Sequence, residues 1–465
     1  MRNRSVYTGR TPARWSRRQF LRMGGAGLAG AAMLGASACG PAEEPDNGAV
    51  NIVFAFGTTG PEDLRTTEEV VERFNREYEG EIQVEFRQMS SDTGEYFRSM
   101  VSDFQAGGGD VDVMAGDVIW AAEFAENGWI EDITRRLYTD YEPEPPGAFL
   151  QAPLQSCSYR NSVWGVPWFT DAGLLYYRRD LLEESGFDAA PTTWEGLREI
   201  AAQVQEESGT QFGLVFQGAD YEGGVVNGLE FVWSAGGNVL TGNITALDAY
   251  GPRSLSPDVI NIDSEQSARG LQIARSLIED GISPQEVSSY QEEESSDAFF
   301  AGDAVFMRGW PYMYALATEE GSNVEPGQVG IAALPVAEEG LQSFSCLGGW
   351  NMYINSASDN QDAAWEFIKF ATAPEQQRFR ALEGSFLPTL QDLYGDGEIL
   401  EQAPVIELGR DVIVDNARPR PVTAFYSQIS TRLARGFNAN LEGEAEPEEV
   451  TENLQGELES IVRQN

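Results

Sequence analysis

Asn51-Ile52-Val53-Phe54-Ala55-Phe56-Gly57-Thr58-Thr59-Gly60-Pro61-Glu62 reads as a buried strand, a glycine turn and the first turn of a helix. The apolar run is the length of one strand covered on both faces. Pro61 suits the start of a helix, where its missing N–H costs nothing. Leu64, Val70, Val71, Phe74 and Tyr78 keep helical spacing up to Gly80, and Ile82 to Phe86 alternates as a second strand. A helix is predicted over Gly94–Gln105 and a third strand over Val111–Ala115, with Asp117 just past its end. Strand, helix, strand, helix, strand calls for a parallel sheet with crossover helices, hence an α/β fold. Ligands of such sheets lie beyond the carboxyl ends of the strands, where Gly57–Glu62 and Asp117 fall.

Upstream, Ser16-Arg17-Arg18-Gln19-Phe20-Leu21-Arg22 resembles a twin-arginine export motif, and a Gly/Ala-rich apolar stretch follows from Met23 to Ala38. That stretch is too short and too rich in glycine for a membrane span. Ala36-Ser37-Ala38 before Cys39 resembles a lipobox, with Ala36 where leucine is commonest. The segment 1–38 is therefore expected to be a twin-arginine signal peptide. Cys39 is expected to be the lipidated first residue, and 39–49 a polar tether. The chain is expected to sit at the cell surface, on the outer face of the cytoplasmic membrane.

The chain holds 31 Lys+Arg against 74 Asp+Glu, and loss of a leader with seven arginines and no acid takes the formal charge from −43 to −50. Nucleic acid and anionic membrane surfaces are excluded as partners, since both call for basic patches. Acids spread along the whole chain suit a halophilic source, where salt screens self-repulsion; Lys369 as the only lysine fits that source and equally a GC-rich genome, which favours arginine. Reversible unfolding on transfer to low salt is the outcome that checks this. The absence of histidine removes His-based triads, metal sites and proton shuttles. Three cysteines, one of them at the expected lipidation site, leave no thiolate zinc site. Cys157 and Cys346 are either a pair or two buried thiols. No cofactor is implied.

Downstream, Gly165-Val-Pro-Trp-Phe-Thr-Asp-Ala-Gly-Leu-Leu-Tyr-Tyr-Arg-Arg-Asp180 sets two rings and an acid before a short buried strand, Leu174–Tyr177. Helices are predicted over Trp194–Glu207, Ser267–Asp280, Asp362–Thr372 and about Pro447–Arg463. Strands are predicted over Phe212–Phe216, Ala304–Met307, Val329–Leu334 and Trp350–Ile354. Aromatic turns recur at Trp168-Phe169, Tyr221-Glu222, Trp310-Pro311-Tyr312 and Gly348-Gly349-Trp350. Singly, each is an ordinary packing position. Together, beside loop acids, they outline a groove that stacks sugar faces and accepts hydroxyl hydrogen bonds. Among so many acids, a glycosidase pair has no specific signature. Gly107-Gly108-Gly109 lacks the spacing of a phosphate loop.

These segments, in order, resemble the substrate-binding lipoproteins of ABC sugar importers (family 1 solute-binding proteins), closest to the trehalose/maltose-binding branch. The resemblance is carried by Val111–Thr134, Gly165–Leu197, Phe299–Trp310, Leu347–Pro388 and Arg418–Ser430. It implies a type II-like clamshell of two lobes, each a mainly parallel sheet flanked by helices. The implied lobes are 50–168 plus 346–384, and 169–345 plus 385–465. Crossings are implied at about Trp168–Ala172, near Cys346 and near Gly384–Pro388. Carried over by position, Glu62, Asp117 and Asp171 match hydroxyl-binding acids. Phe169, Trp310 and Trp350 match ring positions, and Gly349 a close backbone approach. Arg420 matches a donor to the sugar, with Arg418 second, and Tyr221 and Glu222 belong to the same set. The family arginine after the second strand falls near Tyr96, with Arg98 close by. The implied function is capture of a disaccharide such as trehalose or maltose, without catalysis, and delivery to permease subunits by a monomer. The alternatives are another oligosaccharide, a glycerophosphodiester, or a secreted glycoside hydrolase.

Overall fold

The computed structural model describes residues 48–58, 60–240, 259–318 and 321–464. The expected leader, Cys39 and nearly all of the tether lie outside them. Strand β1 (Val50–Phe56) runs parallel to β2 (Ile82–Gln88) and β3 (Val113–Asp117). The crossover helices are Pro61–Glu77 and Thr93–Gln105. Pro61 opens the first, Glu62 and Asp63 lie at the positive end of its dipole, and Val70, Val71 and Phe74 are buried. Asp92 caps the second by accepting from the Glu95 backbone N–H at 2.6 Å. Asp117, expected just past β3, is its last residue.

A short hairpin, β4 (Ser158–Tyr159) with β5 (Ser162–Val163), precedes β6 (Val166–Ala172), a fully buried strand where sequence suggested a loop. After Gly173 the chain enters β7 (Leu174–Arg178) and the second sheet, completed by β8 (Phe212–Val215), β9 (Ala304–Gly309) and β10 (Val329–Ala332). Its order is β10-β7-β9-β8. Strand β11 (Ser345–Ile354) returns to the first sheet, antiparallel to both β3 and β6, and the two-residue β12 (Ala417–Arg418) lies parallel to its start.

The two-lobed α/β architecture matches expectation; strand direction in the second sheet does not. There β7 is antiparallel to both β9 and β10, and only β8–β9 is parallel. The reason is connectivity. Strand β7 arrives straight from β6 rather than through a crossover helix, whereas the helices between β8 and β9 give those two the parallel arrangement.

Each sheet has its own core. Phe54, Phe56, Phe74, Trp168, Trp350 and Phe367 pack in the first. Leu174, Tyr176, Val225, Leu229, Met307 and Phe437 pack in the second, where helices Glu222–Ser234, Glu265–Glu279, Tyr426–Leu441 and Pro447–Gln464 meet. The chain changes cores within single strands: Phe169 belongs to the first and Ala172 to the second, Leu347 to the second and Trp350 to the first. Cys157 and Cys346 are both free and buried, and burial pushes the Cys346 thiol up to about 12.

Candidate functional site

Where β6 and β11 pass between the sheets, a chamber of about 130 Å³ opens. Asp117 reaches it from the end of β3, which pairs with Trp350 in register. Asp171 comes from β6, Trp310 from just past β9, and Tyr221 and Glu222 from the start of helix Glu222–Ser234. Gly349 has φ +117° on β11, and a Cβ there would sit 2.5 Å from the Phe169 carbonyl oxygen. Only glycine lets β6 and β11 close up at this point. Eight expected residues thus share one chamber: Asp117, Asp171, Tyr221, Glu222, Trp310, Gly349, Trp350 and Arg420.

Glu62 and Phe169 are not part of its lining. Glu62 accepts from Arg65 Nε at 2.8 Å at the start of its helix. Phe169 turns into the first core against Phe56 and Phe386, with ring centroids at 6.3 and 5.0 Å. Arg418 lies over the Phe344 ring at 3.3 Å and donates to Asn238 at 2.9 Å.

Arg420 is the hub of the site. Its Nη2 donates to Asp117 Oδ1 at 2.8 Å and its Nη1 to Glu222 Oε1 at 2.7 Å, so one guanidinium joins a carboxylate from each lobe. Tyr426 donates to the same Glu222 oxygen at 2.7 Å, and Ser430 donates to the other. Buried charge is tolerable when paired and hydrogen-bonded in this way. Arg420 Nε has no partner within the protein. Asp117 is still held above the usual carboxyl range, because burial and Glu222 outweigh Arg420. Trp310 lies 4.0 Å from the Arg308 guanidinium, and its indole N–H reaches Glu292 at 3.4 Å; Tyr221 donates to the other Glu292 oxygen at 2.8 Å.

Beneath the chamber, burial and then Asp63 push Asp171 well above the ordinary carboxyl range, and its Oδ1 accepts no hydrogen bond from the protein. Below it, Arg380 donates to Asp63 at 2.6 Å and lies 3.9 Å from Trp168 and 4.3 Å from Phe386. Sequence reasoning missed Asp63, Glu292, Arg380, Tyr426 and Ser430. Glu292 sits in a run of three glutamates that reads as a solvated helix face, and Arg380 carries no local signal at all. Among the described residues, no group of three or more acids and cysteines is placed to hold a metal ion. The chamber offers carboxylate oxygens, guanidinium N–H groups and two indole rings, the chemistry that binds a polyhydroxylated solute.

Two α/β lobes with such a chamber between them define a two-lobed binding protein. The sequence pattern of the bacterial extracellular solute-binding proteins matches residues 58–378, and the chain belongs to that family. A probable ABC transporter-binding protein of Deinococcus radiodurans is 34% identical over 76% of this chain and 80% of its own length. Among solved structures, maltose-bound T. maritima MalE3 has a TM-score of 0.80 and 36% identity, covering 89% of this chain and 100% of that one. The GacH receptor of Streptomyces glaucescens, solved unliganded and with acarbose, has a TM-score of 0.77 at 21% identity, covering 89% of this chain and 99% of its own, a likeness of fold.

Proposed function

We propose that this chain, the substrate-binding component of an ABC sugar importer, captures a disaccharide such as trehalose or maltose outside the cell. It passes the sugar to the membrane permease without chemical change. The observation that carries this reading is the chamber at the lobe boundary, where Arg420 joins Asp117 to Glu222 beside Trp310 and Trp350. Identity of 36% to a protein solved with maltose bound supports it. The carboxylates accept sugar hydroxyls, and Asp171 Oδ1, buried and unpartnered, is the acceptor still to be satisfied. The indoles take the apolar ring faces. Arg420 acts first by holding Asp117 and Glu222 in place, and its free Nε–H is what remains for the solute.

Three crossings, at Trp168–Ala172, Cys346 and Gly384–Pro388, divide the lobes in this reading, and closure on the sugar shifts an open–closed equilibrium. Export by the twin-arginine route, a lipid on Cys39 and a monomeric state complete it.

Calorimetric titration across a sugar panel, with chromatography of the mixtures, tests the function. One-to-one binding of trehalose or maltose without products is expected. Trp350→Ala is expected to weaken it by about 1–3 kcal/mol. Release of monosaccharides would make the chain a hydrolase, and no binding across the panel would remove the sugar reading.

A further inference from the structure

The two indoles of the chamber are held in different ways. Trp350 is braced by rings of the first core, Phe56, Trp120 and Tyr96, with centroids at 5.0, 5.8 and 6.2 Å. Trp310 is backed by a cation. The Arg308 guanidinium, near the end of β9, lies over its ring at 4.0 Å. A flat guanidinium covers one face of an indole, and Trp310 also lines the chamber. Its backbone is fixed separately, since the Tyr176 hydroxyl donates to the Trp310 carbonyl at 2.7 Å.

Arg308 is fixed in turn. Its Nε and Nη2 each donate to one Glu230 oxygen at 2.8 Å, a bidentate pair whose side chains are 4% and 3% exposed. Its Nη1 donates to Gln217 Oε1 at 3.2 Å, and the Gln217 amide donates back to the Arg308 carbonyl at 3.0 Å. The network reaches the segments that pass between the sheets. Glu230 Oε1 accepts the Cys346 N–H of β11 at 3.0 Å, and a Cβ on Gly173, just after β6, would fall 2.2 Å from that oxygen and 2.5 Å from Arg308 Nη2. Asn227 extends it to the start of helix Glu222–Ser234, donating to Gln217 at 3.1 Å and to the Gly223 carbonyl at 2.9 Å. A buried ion pair adds little stability that well-packed apolar side chains would not. What they do not supply is a flat, charged plate in one orientation behind an indole.

We propose that Arg308, locked by Glu230, is a positioning residue for sugar binding: it fixes the plane of the Trp310 ring from behind and leaves the other face for the solute. A ring already in place removes an ordering cost from binding. The flat guanidinium does this; a positive charge alone does not. The proposal rests on the sugar-binding reading above and adds to it the residue that aims one of its rings.

The test is Arg308→Lys, which keeps a cation beside Glu230 and removes the plate. Calorimetry with maltose and with trehalose is run on this variant in the parent chain and in Trp310→Ala. The dissociation constant is expected to rise about tenfold in the parent, the scale of one aromatic contact, and less than about twofold in Trp310→Ala, where there is no ring to aim. Fluorine NMR of protein labelled with fluorotryptophan reads the ring directly, the Trp310 signal being identified by its loss in Trp310→Phe. That signal is expected to shift or broaden in Arg308→Lys while the other tryptophan signals stay in place. Should denaturant unfolding show Arg308→Lys to be badly destabilised, Arg308→Met combined with Glu230→Gln, which leaves no buried charge unpaired, is measured with the same expectations. An unmoved Trp310 signal, or an equal loss of affinity with and without the indole, overturns the proposal and leaves the sugar-binding reading standing. No binding of either sugar by the parent overturns both.

Discussion

Asp171 is the residue in which structure and function pull hardest against each other. Its buried side chain lies among Asp63, Arg380 and Arg308, and burial holds its proton well above the ordinary carboxyl range. In the unfolded chain a carboxyl titrates near about 4. Between that value and the raised native one, the folded protein keeps the proton and the unfolded chain has lost it. Stability therefore falls as pH rises through this window. Asp171→Asn has no such slope. The variant is expected to unfold at higher denaturant than the parent at pH 7, with the difference closing as the pH falls below about 4. Parallel stability curves would show that Asp171 is not strained by its setting. The acid itself was legible in the sequence, because it follows two aromatics before an apolar strand. Its partners were not: Arg380 and Asp63 lie far apart in the chain and meet only through the fold.

At the level of elements, the first three strands and their helices were readable to within a few residues, because each is amphipathic or apolar over its whole length. Helix Glu222–Ser234 was not. Residues 223–234 are all buried, so no apolar stripe marks the helix, and Gly223 and Gly224 near its start read as a turn. Strand β11 was read only from Trp350 onward, since Gly348-Gly349 looks like punctuation. In the structure these glycines lie inside the strand, where Gly349 takes φ +117° and lets β6 approach. Gly349→Ala adds a Cβ 2.6 Å from Thr170 Cα and forces a conformation that alanine resists. A loss of about 2–4 kcal/mol in denaturant unfolding is expected. An unchanged midpoint would mean that the two strands part without cost.

For the whole molecule, the two-lobed plan was implied by the family resemblance that the ordered segments carry, whereas the mixed direction of the second sheet was not, since strand direction depends on which strands become neighbours. Of the ten expected site residues, the eight in the chamber come from six separate stretches of chain, and the fold assembles them at the passages between lobes. Phe169 packs into the first core against Phe56 and Phe386, and Glu62 is held by Arg65. The central claim is that one solute is gripped by both lobes. Small-angle X-ray scattering with and without a saturating sugar that calorimetry shows to bind tests it most directly. A smaller radius of gyration with sugar is expected in the parent, and no change in Arg420→Gln, which cannot hold Asp117 and Glu222 in a charged pair. Identical scattering from the free and sugar-saturated parent would contradict closure around the ligand.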